Sequence, residues 1–93
     1  MVNIQFIANE LQVNSEQLLS DSLKLYLSQN LNKIESEIYL ILKKFNVKDV
    51  KEFEQFVHKG EITENDGYDD FFKLDNLTAR QEKLKSIIEK LND

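Results

Sequence analysis

The single histidine is the first side chain to consider for chemistry, because imidazole serves both as a metal ligand and as a general base. In a helix, Glu54 would lie one turn before His58, so two possible ligands would share a face. No third ligand follows at a helical spacing, and the chain has no cysteine for thiolate sites or thiol catalysis. We therefore predict no metal site, and we predict that His58 is a surface residue near the carboxyl end of a helix, a position that suits a basic side chain.

The segment ENDGYDD at positions 64–70 has the look of a calcium loop, but its spacing is wrong. If Gly67 is aligned with the sixth position of such a loop, Ile62 falls first and Lys73 twelfth, where carboxylates are required. No serine or threonine stands at a motif spacing from a base, and there is no glycine-rich phosphate loop. Carboxylates on an acidic helical surface are solvated by default. We therefore predict a protein that is not an enzyme, with no catalytic residue and no cofactor.

The charge of the chain is concentrated in one segment. Residues 61–75 contain six acidic side chains and one basic one, Lys73, so they account for the whole net charge of −5. Aromatic residues alternate with the acids. One interpretation is a solvated helix start, which the helix dipole favours, with the aromatics in the core. The other is a docking surface for a basic protein partner, since aromatics anchor interfaces and carboxylates select cations. On the second interpretation the predicted partner-binding residues are Tyr68, Asp69, Asp70, Phe71 and Phe72.

The elements that carry these residues are predicted to be helices. There is no proline and there are only two glycines, whereas a β-rich chain uses both in its many turns. We predict one all-α domain over 1–93, in which the two long helices form an antiparallel hairpin and the short third helix packs near its tip. Asn14 and Gln17 stand at the positions of a capping box. The predicted elements are a short helix and turn at 1–13, a long helix at 15–45, a short helix at 49–59 and a C-terminal helix at 66–91.

The long helix carries an apolar stripe that continues over its full length. Spacings of four residues give way to alternating spacings of three and four, the coiled-coil period, and the helix would be roughly 45 Å long. So small a chain cannot cover such a rod, so we predict a homodimer. One side of the stripe must also meet the last helix, and a purely intramolecular core role stays open. The predicted self-association residues are Leu27, Leu31, Ile34, Ile38, Ile41 and Phe45.

Two other classes of partner are not favoured. The longest apolar run is five residues and the N-terminus lacks the pattern of a signal peptide, so we expect a cytoplasmic protein without a membrane partner. Nucleic-acid binders usually concentrate positive charge and use arginine, whereas this chain has one arginine and a net negative charge. A DNA-binding regulator remains an alternative, and it would depend on Lys24 and Lys33 in the first two helices. A structural adaptor of a larger assembly is a further alternative.

Two stretches resemble antitoxins of prokaryotic type II toxin–antitoxin systems. The sequence FIANELQVNSEQLL at 6–19, continued to Tyr26 and Leu27, is similar to the helical half of ribbon-helix-helix antitoxins. The region from Glu37 to Val47, followed by Phe53, GEI at 60–62 and YDDFF at 68–72 before a leucine-rich helix, resembles small helical antitoxin-like proteins encoded beside toxins. The resemblance covers most of the chain.

The resemblance implies a dimeric antitoxin that masks a ribonuclease-like or nucleotidyltransferase-like toxin and represses its own operon. Ribbon-helix-helix proteins read DNA with a basic N-terminal strand. In this chain the residues from Met1 to about Gln5 precede the first helix and contain no lysine or arginine. Independently of the resemblance, the acidic segment fits a basic, RNA-binding toxin surface. We therefore expect an inhibitor that acts by masking its partner.

Overall fold

The computed structural model describes residues 3–92, with side chains at all of these positions except 64–66. The described residues form four helices and no strand, which confirms the predicted all-α fold. The long helix is unbroken, as the stripe predicted. The last helix begins two residues earlier than predicted, and Gly67 lies in its first turn. The helices are α1 at Ile4–Leu11, α2 at Ser15–Lys44, α3 at Val50–His58 and α4 at Glu64–Asn92.

Helices α2 and α4 pack side by side in opposite directions. Lys44 at the end of α2 contacts Asp70 near the start of α4, with 2.8 Å between Nζ and Oδ2. Farther back along α2, Glu35 accepts a hydrogen bond from Gln81, with 2.9 Å between Oε2 and Nε2. The helices are therefore antiparallel, as the hairpin prediction requires. Helix α3 packs against α4, and α1 packs against α2.

Side-chain caps begin the first three helices. Each cap accepts hydrogen bonds, through a side-chain oxygen, from otherwise free backbone N–H groups of the following turn; the caps are Asn3, Asn14 and Asp49. The prediction that Gln17 completes a capping box with Asn14 is wrong, however. The Gln17 amide does not return to its cap but donates to Oδ1 of Asp21 at 2.8 Å, one turn ahead. The cap of α2 therefore depends on Asn14 alone.

The same backbone motif ends these three helices. The residue after each helix, or one position farther, has a left-handed conformation: φ is 59° at Gln12, 57° at Asn46 and 76° at Gly60. In each case the following N–H donates to the carbonyl five residues back, which is the Schellman arrangement. The three bonds join Val13 to Ala8, Val47 to Leu42 and Glu61 to Phe56.

The core lies in the half of the hairpin nearest α3. Phe53 of α3 and Leu74 of α4 are completely enclosed. Phe45 meets the Phe53 ring edge-on at 5.1 Å, and Phe71 stacks on its other side at 6.3 Å. The fully buried members of this cluster are Ile34, Ile38, Ile41, Val47, Phe53, Ile62, Leu74 and Leu77.

The hydroxyl of Thr78 is the one buried side-chain polar atom that finds no hydrogen-bond partner among the described residues. An unsatisfied buried hydroxyl costs about 1–3 kcal/mol, and valine has nearly the same shape and helix propensity as threonine. We expect Thr78→Val to raise the free energy of unfolding by about 1 kcal/mol. Urea denaturation followed by circular dichroism would measure it. Thr78→Ser, which keeps the hydroxyl and loses a methyl, should destabilise the chain, and a loss of stability in Thr78→Val would contradict the prediction.

The chain is extended rather than compact. Its radius of gyration is 18.9 Å, against about 12 Å for a compact domain of this length. The accessible surface is 7482 Å², whereas a compact monomer of this mass exposes about 5,600 Å². The molecule is a rod of 59 × 26 × 19 Å.

Candidate protein-binding surfaces

The predicted partner-binding residues lie in the first turns of α4, at the tip of the hairpin. Tyr68 and Phe72 are one turn apart, are about half exposed, and meet edge-on with 4.8 Å between their ring centroids. Asp69 beside them is also exposed. We call Tyr68, Asp69 and Phe72 the tip surface. Two large aromatic rings held together in solvent beside a carboxylate are the anchors that a protein interface uses.

The other two predicted partner-binding residues face the interior. The Asp70 side chain is only 20% exposed and forms its ion pair with Lys44, which ties α4 to the end of α2. Phe71 is half-buried and stacks on Phe53. These two residues position the tip surface by holding the start of α4 in place. The predicted set of five is therefore divided by packing, because Asp70 and Phe71 contact α2 and α3 whereas Tyr68, Asp69 and Phe72 remain exposed.

A mainly apolar cleft of about 360 Å³ opens beside the tip surface. Tyr68 forms part of its wall and so belongs both to the cleft and to the exposed aromatic pair. Glu61 and Asp69, both exposed, lie next to residues of the cleft along the chain. An apolar side chain flanked by basic residues would match this combination of shape and charge. The cleft is lined by Val57, Gly60, Ile62, Thr63, Gly67, Tyr68 and Phe71.

The predicted self-association residues are largely used within the chain. Ile34, Ile38 and Ile41 are buried in the core with residues of α4. Phe45 packs at the core edge, while Leu27 and Leu31 are half-buried. For the three isoleucines, α4 of the same chain occupies the stripe that a second copy was predicted to cover. The predicted set begins at Leu27 and leaves out an exposed apolar surface nearer the N-terminus. The scarcity of charged residues in that part of the sequence was the signal for it.

The structure also places the residues considered for metal or membrane chemistry. His58 is the last residue of α3 and is exposed, as predicted. Among the side chains that the structure describes, at residues 3–63 and 67–92, no group of three or more metal-binding side chains comes together. Nor does any helix in this part of the chain combine the length and apolar character needed to cross a membrane.

Comparison with known proteins identifies similar sequences. The model of the family described as the uncharacterized protein MJ0235 family matches residues 1–93. The uncharacterized protein MJ0235 of Methanocaldococcus jannaschii is 30% identical over 77 residues, which are 83% of this chain and 94% of that protein. No solved structure matches.

Proposed function

This chain belongs to the uncharacterized protein MJ0235 family, and on that premise we propose that it acts by binding other proteins through its tip surface and through self-association. The observation that carries the proposal is the outward-facing pair of Tyr68 and Phe72. Half-exposed rings contribute less to a core than buried ones do, and tyrosine is among the residues most enriched at interface hot spots. The adjoining cleft supplies a pocket for a side chain of the partner.

The partner that fits this surface is a basic protein. Residues 61–75 carry a net charge of −5, and the rest of the chain is neutral overall. Attraction between opposite charges speeds encounter and rejects acidic partners, while the apolar contacts supply most of the affinity. The specific form of the proposal is an antitoxin-like inhibitor that masks a basic, RNA-binding toxin. The resemblance of the 37–47 and 60–72 regions to small helical antitoxins supports this form, and so does the local charge.

The test is capture of the protein encoded beside this chain, co-expressed with it. Combining Tyr68→Ala and Phe72→Ala with Asp69→Lys removes both exposed rings and reverses the charge between them. We expect the dissociation constant to rise at least about 100-fold, since each hot-spot aromatic contributes about 2 kcal/mol or more. Calorimetry or surface plasmon resonance would measure it, with circular dichroism to verify that the helices remain.

A matched control exists elsewhere on the molecule. Tyr39→Ala, Leu40→Ala and Glu89→Lys remove one exposed ring, remove one exposed apolar side chain and reverse one exposed charge, all outside the tip surface. This control should bind like the wild type. Equal loss in both triple variants, or no loss in the tip variant, would contradict the assignment of the tip surface. If the wild-type chain does not bind the protein encoded by the neighbouring gene, the antitoxin-like role is contradicted.

A further inference from the structure

A second apolar surface lies at the other end of the rod. Leu19, Leu23 and Tyr26 of α2 are 49%, 42% and 64% exposed. Their spacing of four and three residues places them on one side of the helix. We call these three residues the N-terminal stripe. On the adjoining α1, Phe6 and Leu11 are also about 60% exposed.

The N-terminal stripe is the uncovered part of a longer pattern. The same apolar periodicity continues along α2 to Ile34, Ile38 and Ile41, which α4 covers. Toward the start of α2 this cover is incomplete. A cleft of about 280 Å³ remains between α2 and α4, and it is lined by Tyr26, Asn30 and Ile34 of α2 and by Arg80, Lys83, Leu84 and Ile87 of α4. A single chain therefore leaves apolar side chains in water along about half of its longest helix.

The composition around the stripe indicates what kind of surface can cover it. Residues 3–32 contain only four charged side chains, whereas charged residues make up 31% of the whole chain. Depletion of charge is typical of the centre of a protein interface. Within residues 3–32 the one cation is Lys24, whereas a nucleic acid or an anionic lipid surface would require several on the segment that it contacts. The four charged side chains are Glu10, Glu16, Asp21 and Lys24.

The area of the chain matches the requirement of a dimer. The accessible surface of 7482 Å² exceeds the value for a compact protein of this mass by about 1,900 Å². A standard interface takes only about 800 Å² from each partner. The excess area is thus large enough for one full interface. The uncovered apolar stripe of one copy can meet the identical stripe of a second copy.

We propose that a second copy of this chain docks on the N-terminal stripe, with the two α2 helices crossing antiparallel about a two-fold axis near Leu23. Two-fold interfaces use the same patch on both subunits, and this axis sets Leu19 of one copy against Tyr26 of the other. The antiparallel direction follows from charge. It places the two tips, each with a net charge of −5 over 61–75, at opposite ends of the dimer instead of side by side. This inference rests on the self-association part of the proposed function and names its surface.

The mass of the full chain in solution tests the dimer. We expect about twice the chain mass of 11.0 kDa by sedimentation equilibrium. Leu19→Glu combined with Leu23→Glu should weaken association at least about 100-fold, because it buries four unpaired carboxylates, two from each copy, in the interface. Tyr39→Glu with Leu40→Glu changes two exposed apolar residues of the same helix outside the stripe and should leave the dimer intact. Circular dichroism checks that both variants remain helical.

The absence of native cysteine allows an independent test of the axis. On oxidation, Leu23→Cys should form a disulfide-linked dimer with high yield, because the two copies of position 23 meet near the axis. Leu40→Cys, far from the axis, should form the dimer without the disulfide cross-link under the same conditions.

Several results would overturn the proposal. One is a single-chain mass up to about 100 µM, where even a micromolar interface is occupied. A single-chain mass overturns the proposal even if the stripe is found to bind lipid vesicles or another protein. A dimer that survives the double glutamate substitution, or equal cross-linking at positions 23 and 40, would also overturn it. Because Leu19 and Leu23 lie far from the tip surface, a wild-type chain that is monomeric but still captures its partner would refute this inference and leave the tip assignment standing.

Discussion

Phe53→Ala is expected to lower the free energy of unfolding by about 3–5 kcal/mol, the usual cost of removing a buried aromatic ring from a core. Phe53 is fully enclosed, and Phe45 and Phe71 pack on its ring. Its removal separates α3 from both long helices at once. A chain of this length has a total stability of roughly 5–14 kcal/mol, so the variant loses a large fraction of it.

The measurement is urea denaturation followed by circular dichroism, with hydrogen exchange to show where the chain opens. Phe72→Ala is the matched control, because it removes the same ring at a position that is 51% exposed. It should cost less than about 1 kcal/mol, as exposed substitutions usually do. We expect amides of α3 to lose protection first in the Phe53 variant. Equal losses of stability in the two variants would show that Phe53 does not centre the core.

Gly67→Ala is the second substitution with a large expected effect, and its sign is opposite to the usual rule. In an ordinary helix, alanine in place of glycine gains about 1 kcal/mol. Here Gly67 is buried, and a Cβ atom at this position would overlap Cγ2 of Ile62, a branched side chain that is itself in the core. Overfilling a packed site costs about 1–3 kcal/mol. We therefore expect a net loss of stability.

A double-mutant cycle isolates this contact. Ile62→Ala removes Cγ2, and in that background Gly67→Ala should become neutral or stabilising by up to about 1 kcal/mol, the intrinsic helix preference. The reversal of sign separates a steric cause from a general loss of helix stability. If Gly67→Ala has the same effect in both backgrounds, the close approach of α4 to Ile62 is not the reason for the glycine.

The helices were predictable because their signals are local. Asn14 and Asp49 cap helices with their own side chains, and Asn46 and Gly60 take the left-handed conformation that ends them. These residues determine helix limits without reference to the rest of the chain. The partner of a side chain is a different matter. Gln17 had the right position for a capping box, but Asp21 one turn ahead competes for its amide.

The candidate surfaces were less predictable, because they depend on how α4 is rotated. Sequence alone groups Tyr68, Phe71 and Phe72 as one aromatic cluster. Packing of Phe71 on Phe53 determines that the other two rings face outward. The apolar residues at 34–41 were ambiguous in a similar way. Their heptad-like spacing predicts a neighbouring helix, but it does not show whether that helix comes from the same chain.

The hydrogen bond between Gln81 and Glu35 has a mechanical consequence. It is a part-buried polar pair between the two helices, and Glu35 also lies 3.9 Å from the ammonium group of Lys85. If α4 slid along α2 by one turn, the amide of Gln81 would face side chains such as Leu31, and burying it there without a partner would be unfavourable. The pair thus locks the long helices in one alignment, as single polar residues do in coiled coils. Because the alignment is fixed, a partner bound at the tip is held at a constant distance from a partner bound near the N-terminus.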